Sequence, residues 1–274
     1  MIFTYKKWDA FCDKLQKAGM HSIPARDVSG KTYLVLKHDV ETNVPSAYRM
    51  ASIEKKYGHC GSYYVQAYLL EDHQNVKLLQ QMQEMGHEVS YHYDVMDSCK
   101  GDLEAAITEF EKNRKVFEDN GLAVVTVCQH GNPVVERVGY TSNRDFFRSE
   151  KVRDLYPKLA DIMVNYPEKY NTKYLYFSDA GRIFKRIYDP INNDVVNSDD
   201  KNIPYKDLNA LFDGLSGEVG NIISTHPHRW TGSAVKYVIK SAIFKTVKFV
   251  AKLLLKIPFM KKIMGRFYYL AKKF

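Results

Sequence analysis

Short apolar runs alternate with longer amphipathic segments through the first two-thirds of the chain. Apolar runs rich in β-branched and aromatic residues predict strands at 32–36, 62–65, 87–92, 123–128, 174–177 and 221–225. Apolar residues spaced three or four apart predict helices over 44–57, 76–85 and 102–120. Repeated strand–helix units favour parallel strands with right-handed crossovers, in either a doubly wound sheet or a barrel. The pattern is less regular over 143–173, which is predicted to be mostly helical, and 190–204 is predicted to be a loop.

Polar side chains follow several of these strands, at the carboxyl ends where α/β folds place their binding sites. Four histidines lie at or just after the ends of apolar runs: His38, His92, His130 and His226. A single histidine beside a strand is usually structural. Because equivalent strand ends converge in space, four of them indicate one shared cleft. Neutral imidazole and carboxylate together suit Zn²⁺, with Mn²⁺, Fe²⁺ or Co²⁺ as alternatives.

Three motifs resemble the polysaccharide deacetylase (NodB-like) superfamily: YLVLKHDVE at 33–41, GHEVSYHYD at 86–94 and IISTHPHRW at 222–230. They are more similar to its divergent branch with a His-Asp-Val-Asp signature, which is found with bacterial surface-polysaccharide genes. The resemblance covers about residues 30–230. It implies an α/β fold, an irregular (β/α) barrel with fewer than eight regular strands, over 1–234. A basic amphipathic helical tail would follow at 235–274.

The first motif carries the implied base and one implied metal ligand. In the family, the first strand ends in two consecutive aspartates, a general base followed by a metal ligand. Here the pair is His38-Asp39, so the resemblance assigns Asp39 to the metal. His38 stands at the base position and Glu41 lies two residues farther on. The base role therefore stays open between Glu41 and His38.

The second motif departs from the family pattern at one metal ligand. The family has two metal-binding histidines four residues apart; His92 matches the first, but Met96 stands at the second. His130 is the main candidate for the missing ligand, and Asp94 and His87 are weaker ones. Period-two alternation in a strand would turn His87 to the face opposite His92. Met96 also leaves open a barrel that has lost its metal.

The late motif implies a general acid and part of a substrate cleft. His226, in STHP after the last predicted strand, matches the family's general acid. His228, Arg229 and Trp230 follow it and are predicted to line the cleft. Asp179 closes another predicted strand, and we expect it to orient His226, to hold a sugar hydroxyl, or to serve only as a turn residue.

The activity that the resemblance implies is metal-dependent removal of the N-acetyl group from an acetamido sugar. The sugar would belong to a bacterial surface glycan or to its lipid- or nucleotide-linked precursor. The cofactor would be a divalent metal, with zinc preferred. Two alternatives stay open: hydrolysis of a carbon–nitrogen bond outside sugars, and a catalytically inactive barrel that binds a glycan or a partner.

Basic residues are concentrated at the C-terminus. The formal net charge is +8, but 235–274 contains 11 Lys or Arg and no Asp or Glu, and the rest of the chain contains 29 basic and 32 acidic residues. The basic character therefore does not indicate a nucleic-acid partner. In a helix, four lysines of this segment would lie along one side and four apolar residues along the opposite side. The lysines are Lys245, Lys248, Lys252 and Lys256, and the apolar residues are Ile243, Val247, Val250 and Leu254. Such a helix suits an anionic membrane surface, and packing on the domain or on another subunit is the alternative.

The cysteines and the N-terminal segment indicate in which cellular compartment the protein is expected. The four cysteines, Cys12, Cys60, Cys99 and Cys128, form no CxxC pair, which argues against a thiolate zinc site. The N-terminal segment lacks the apolar core and cleavage site of a signal peptide, and no run approaches the roughly 20 apolar residues that span a bilayer. We therefore expect free thiols and a cytoplasmic protein, peripherally associated with the inner face of the membrane.

Overall fold

A sheet of nine strands, flanked by helices, forms the part of the chain that the structure describes. The structure is a computed structural model and describes residues 1–132, 135–191 and 201–254. The strands are β1 (Leu34–Val40), β2 (Gly61–Val65), β3 (Glu88–Tyr93), β4 (Thr126–Gln129), β5 (Ala160–Asp161), β6 (Tyr174–Ser178), β7 (Lys185–Ile187), β8 (Ile203–Pro204) and β9 (Gly220–Thr225). The helices are α1 (Tyr5–Lys17), α2 (Val44–Lys56), α3 (His73–Glu84), α4 (Val95–Ser98), α5 (Leu103–Asp119), α6 (Asp145–Arg148), α7 (Glu150–Leu155), α8 (Tyr166–Lys169), α9 (Leu208–Asp213) and α10 (Ala234–Leu254).

The strand order confirms the predicted α/β fold. The strands lie in the order β5-β4-β3-β2-β1-β9-β6-β7-β8. Pairing is parallel from β5 to β6, and β7 and β8 add an antiparallel edge. Among the described residues no backbone pairing joins β5 to β6, so hydrogen bonds do not close the sheet into a barrel. The Tyr174 hydroxyl, from β6, donates to the carbonyl oxygen of Ile162, just after β5, at 3.0 Å.

The long helices begin where short polar side chains cap them. The Asn43 side chain accepts from the Ser46 amide at 2.8 Å, ahead of α2. The Asp72 and Asp102 carboxylates accept from backbone amides in the first turns of α3 and α5. Each cap satisfies amides that have no partner inside the helix. The helices predicted from apolar periodicity are therefore present, with boundaries shifted by up to three residues.

The central strand β1 extends farther than its apolar run predicts. The run ends at Leu36, but β1 continues through Lys37, His38 and Asp39 to Val40, paired with β2 on one side and β9 on the other. All seven of its residues are buried. Because side chains alternate along a strand, Lys37 and Asp39 share one face and His38 lies on the other. This alternation decides which of the three side chains can reach a common cleft.

One part of the core lies between the N-terminal segment and the last strand. Phe3, Trp8 and Trp230 pack together there, with Trp230 only 1% exposed. The Trp230 ring stacks on Phe3 with centroids 5.0 Å apart and meets Trp8 edge-on at 5.1 Å. The prediction that Trp230 lines the substrate cleft is therefore wrong, because the N-terminal segment encloses its ring.

The structure also alters the predictions for the irregular regions. Within 143–173 it adds the two-residue strand β5 to three short helices, an element too short for periodicity to reveal. Of the predicted loop at 190–204, residues 192–200 lie outside the described residues, and β8 lies at its end. The predicted tail at 235–274 is described to Leu254, as helix α10, and 255–274 lies outside the described residues. Within the described chain, no helix combines the length and apolar character needed to cross a bilayer.

Candidate active site

Acidic and imidazole side chains from four strand ends converge at one edge of the sheet. Asp39 is the last residue but one of β1 and Glu41 directly follows that strand, His130 follows β4, and His226 follows β9. Glu41 Oε1 lies 3.4 Å from His130 Nε2 and 3.7 Å from His226 Nε2. Asp39 Oδ2 lies 3.9 Å from His226 Nε2. His92, near the end of β3, completes the cluster.

One group in this cluster has the donor set of a divalent-metal site. Ligand atoms of Glu41, His92 and His130 all lie within 4.8 Å of one another. His92 Nδ1 donates to the Cys128 carbonyl oxygen at 3.0 Å, which leaves Nε2 of the neutral ring as an acceptor. His130 Nδ1 is buried and has no hydrogen-bond partner among the described residues. A buried ring nitrogen without a partner is costly unless a ligand satisfies it, so these residues fit a cation.

A second group shares His92 but suits a cation less well. Its members are Asp39, His92 and Cys128, with ligand atoms again within 4.8 Å of one another. Lys37 Nζ already lies 2.5 Å from Asp39 Oδ1, with both side chains buried. Burial lowers the pKa of Lys37, but attraction to Asp39 outweighs it and holds that pKa well above its ordinary value. The ammonium group repels a second cation beside Asp39.

The predicted metal trio of Asp39, His92 and His130 therefore does not form a single group. Asp39 turns toward Lys37 inside the sheet, and Glu41 takes its place beside His92 and His130. The first motif made Glu41 one of two candidates for the base, beside His38, because residue spacing alone does not show which side chains meet. In the structure, the residue after the strand end reaches the two imidazoles.

Ionisation states in the cluster favour cation binding at neutral pH. Burial raises the pKa of Asp39, but Lys37 and nearby imidazoles outweigh it and lower that pKa to about 2. Burial likewise raises the pKa of Glu41, and its hydrogen bond with His130 and the nearby His226 hold it well below the ordinary value. Burial lowers the pKa of His92 to about 4. The carboxylates are thus charged while His92 is neutral, as metal ligands must be.

Asp179 and Arg229 fix the orientation of His226. Asp179 Oδ1 lies 2.5 Å from His226 Nδ1, and Oδ2 accepts from the His226 backbone amide at 3.1 Å. Arg229 donates to the Asp179 carbonyl oxygen at 2.8 Å and to Oδ1 at 3.1 Å. Nδ1 is therefore occupied, and Nε2 faces Asp39 and Glu41. Asp179 is fully buried, which favours the predicted orienting role over contact with a sugar.

The structure does not bring His38 into the cleft. Its Nδ1 lies 2.7 Å from Thr225 Oγ1, and its Nε2 lies 3.0 Å from Glu54 Oε1, with no exposed surface. Glu54 also accepts from Trp8 Nε1 and from the Tyr63 hydroxyl, each at 2.9 Å. This position contradicts a role for His38 as the base, because its side chain points to the opposite face of β1 from Asp39.

The weaker candidates for the third ligand also lie elsewhere. His87 accepts from the Gly61 amide at 2.9 Å and belongs to the buried surroundings of Glu54. Met96 is packed in the apolar core, so its position in α4 supplies no ligand. Asp94 lies immediately before α4 and belongs to neither group of ligand atoms found among the described residues.

Sequence reasoning missed Lys37 and Cys128. Both lie two residues before a predicted site residue, Lys37 before Asp39 and Cys128 before His130. Side chains two residues apart in a strand share a face, so extending each predicted strand by two residues puts Lys37 on the face of Asp39 and Cys128 on the face of His130. The spacing of the cysteines gives no sign that Cys128 lies beside Asp39 and His92. Burial raises the pKa of the Cys128 thiol well above its ordinary value, so the protonated form is favoured.

Comparisons with known proteins give one distant structural similarity to report. No protein-family model matches the sequence, and no curated protein matches it. A solved structure, the catalytic domain of peptidoglycan N-acetylglucosamine deacetylase from Eubacterium rectale ATCC 33656, is 12% identical and superposes with a TM-score of 0.45. The alignment covers 85% of this chain and 90% of that one.

Replacing Lys37 with methionine should destabilise the protein strongly. The change leaves the Asp39 carboxylate buried without its partner, and breaking a buried ion pair costs about 3–5 kcal/mol of unfolding free energy. Urea unfolding in the presence of a chelator measures this loss of unfolding free energy. As a matched control, Lys115→Met removes the exposed pair with Asp119, which should leave the unfolding free energy almost unchanged because solvent screens exposed charges. Equal losses in the two variants would show that Lys37 does not compensate a buried charge.

The pKa of His92 predicts how stability changes in mildly acidic solution. Because the folded-state pKa is about 4 and the ordinary value is 6.5, the unfolded chain binds more protons between these pH values. The unfolding free energy of metal-free protein should therefore fall as pH falls through this window. His92 should contribute about 2–3 kcal/mol of the decrease between pH 7 and pH 4.5, which His92→Gln removes. The exposed His73, changed to Gln, serves as control. Identical pH profiles for wild type and His92→Gln would contradict the burial of a neutral His92.

Proposed function

We propose that this chain is a divalent-metal-dependent hydrolase that removes the acetyl group from the nitrogen of an acetamido sugar. The observation that carries the proposal is the group formed by Glu41, His92 and His130, facing a histidine that Asp179 orients. The three motifs that resemble polysaccharide deacetylases contribute residues to this cluster. They also support a bacterial surface glycan, or its precursor, as the source of the sugar.

Glu41, His92 and His130 would hold the cation. Two imidazoles and one carboxylate form a three-ligand set that zinc uses in catalytic sites with an open position. When bound, such a cation lowers the pKa of water to about 7 and polarises a carbonyl oxygen. This proposal moves Glu41, one of the two candidates for the base, to the cation, and it moves Asp39 from the metal position to the base.

Asp39 is the carboxylate that would accept the proton of the attacking water. Its Oδ1 is held by Lys37, while Oδ2 lies on the side of His226 Nε2. The low pKa of Asp39 makes it a weak base toward ordinary water, so Asp39 would act on water that a bound cation had acidified. Lys37 keeps Asp39 charged and fixed in direction.

His226 would protonate the leaving amine. Oxygen from water bonds to the acetyl carbon, the carbon–nitrogen bond breaks, and the sugar nitrogen takes a proton from Nε2. The proton that the water loses replaces it, so the products are acetate and a free amino sugar. Without protonation, an amine anion would have to leave, which is a very poor leaving group.

His228 and Arg229 are partly exposed side chains that follow His226 at the cleft. His228 Nδ1 is 4.0 Å from Glu41 Oε2, and one-quarter of its side chain is exposed. Arg229 is engaged by Asp179 and is 17% exposed. His228 is therefore the better candidate for a sugar contact, and Arg229 mainly secures the orientation of Asp179.

Acetate release from defined sugars tests the proposal. The full chain, loaded with zinc, should release acetate from N-acetylglucosamine oligosaccharides or related acetamido sugars and should leave one free amine per acetate. Chelator should stop the release and added zinc should restore it. Acetate without free amine would indicate ester cleavage. Tight sugar binding with no acetate would favour the non-catalytic alternative.

A further inference from the structure

Helix α10 is attached close to the candidate active site. It begins at Ala234, four residues after Trp230, and the Tyr237 ring packs edge-on against Phe3 with centroids 5.6 Å apart. Arg182 Nη1 donates to Ser241 Oγ at 3.4 Å. Arg182 lies three residues after Asp179, whose carboxylate touches His226. A short stretch of chain therefore connects the cleft to the first turns of α10.

One face of α10 exposes large apolar side chains. Val235, Val238, Ile239 and Ile243 are 68%, 55%, 54% and 58% exposed. Their spacing of three, one and four residues puts them along a single helix face, while Tyr237 turns toward the domain. A group of exposed apolar residues of this kind marks a surface that meets a partner or a membrane.

Positive charge accompanies this apolar face. Lys236 and Lys240 are exposed on the same turns, and the whole segment 235–274 contains 11 basic residues and no acidic ones. Two copies of the chain meeting through this surface would bring like charges together, which opposes self-association. An anionic lipid surface meets both requirements, because its headgroups attract lysine and its acyl region accepts the apolar side chains.

We infer that α10 docks the protein on an anionic membrane surface, with Val235, Val238, Ile239 and Ile243 inserted among the lipids. The active-site cleft would then work on an N-acetylated sugar carried by a lipid in that membrane. This second part rests on the proposed deacetylase function, whereas the docking does not.

Vesicle sedimentation tests the docking. The full chain should bind phosphatidylcholine vesicles containing phosphatidylglycerol, and it should bind pure phosphatidylcholine vesicles much less. The Val238→Glu/Ile239→Glu double variant should lower the partition coefficient about ten-fold or more, because it puts two anionic groups at the inserted face. Leu155→Glu, which alters an apolar residue of similar exposure (52%) on α7, should bind like wild type. Unchanged thermal unfolding shows that the variants fold.

The outcomes separate the possible occupants of this face. Anionic binding that weakens in high salt and is lost in the double variant supports the docking. Absence of vesicle binding, or equal binding to neutral vesicles, overturns it. If wild type is a dimer in solution and the double variant a monomer, and neither binds vesicles, the face is an interface between two copies and the inference is wrong.

A second measurement addresses the carrier of the sugar. The same N-acetylated sugar is offered free in solution and attached to a lipid in anionic vesicles. The double variant should release acetate from the free sugar at the wild-type rate and from the vesicle-borne sugar about ten-fold more slowly. Equal slowing on both substrates overturns the lipid-carrier inference. If neither substrate releases acetate although wild type binds vesicles, the proposed function fails and the docking stands.

Discussion

Changing His92 to alanine is expected to remove the metal and to reduce acetate release about a thousand-fold, equivalent to roughly 4 kcal/mol of lost transition-state stabilisation. His92 is the one side chain that belongs to both groups of close ligand atoms. Its Nδ1 is committed to the Cys128 carbonyl oxygen, so the ring has Nε2 left to offer a cation. Elemental analysis of the purified variant and its kcat/KM measure the two effects.

The exposed His73 provides the matched control for this change. His73→Ala removes an exposed imidazole from the first turn of α3 that belongs to neither group of close ligand atoms, and it should keep full metal content and activity. A His92→Ala protein that retains about one equivalent of zinc would contradict the assignment. So would a protein that loses zinc but keeps its activity.

Changing His226 to alanine is expected to lower kcat about 10²–10⁴-fold while the metal content stays unchanged. His226 is held by Asp179 and directs Nε2 toward the two carboxylates, but it belongs to neither group of close ligand atoms. Loss of the proton donor affects the departure of the amine, whereas loss of a ligand affects the cation. Steady-state kinetics and elemental analysis on the same sample distinguish these effects.

The Asp179→Asn variant provides a graded comparison. The amide retains the shape of the side chain but weakens its hold on His226 Nδ1, so kcat should fall less than in His226→Ala. The Asp179→Asn and His226→Ala changes together should cost little more than His226→Ala alone, because Asp179 acts through His226. Additive effects on kcat would show that Asp179 has a separate role.

The repeating units of the fold could be predicted from the sequence because apolar periodicity is a local property. α2, α3 and α5 are amphipathic, and Gly58, Gly86 and Gly121 follow them closely. The polar half of β1 could not be predicted in this way. Lys37 and Asp39 form an ion pair inside the sheet. In a pattern of hydrophobic and polar residues, two charged residues so close together predict an exposed loop, because the pattern does not show that they pair.

The gathering of His92, His130 and His226 could be predicted from strand ends, but their partners could not. Which carboxylate reaches the imidazoles depends on where β1 stops, and that is fixed by its pairing with β2 and β9. The prediction that Trp230 lines the cleft rests on its place at the end of the late motif, close behind His226. Contact with Phe3, more than 200 residues away in sequence, encloses it instead.

The position of a bound zinc ion tests the central claim most directly. Crystals of the full chain grown with zinc should give an anomalous scattering peak, at the zinc absorption edge, about 2.0–2.2 Å from a carboxylate oxygen of Glu41 and from one ring nitrogen each of His92 and His130. A peak coordinated by Asp39 and Cys128 would contradict this assignment, as would the absence of any peak among these side chains at saturating zinc.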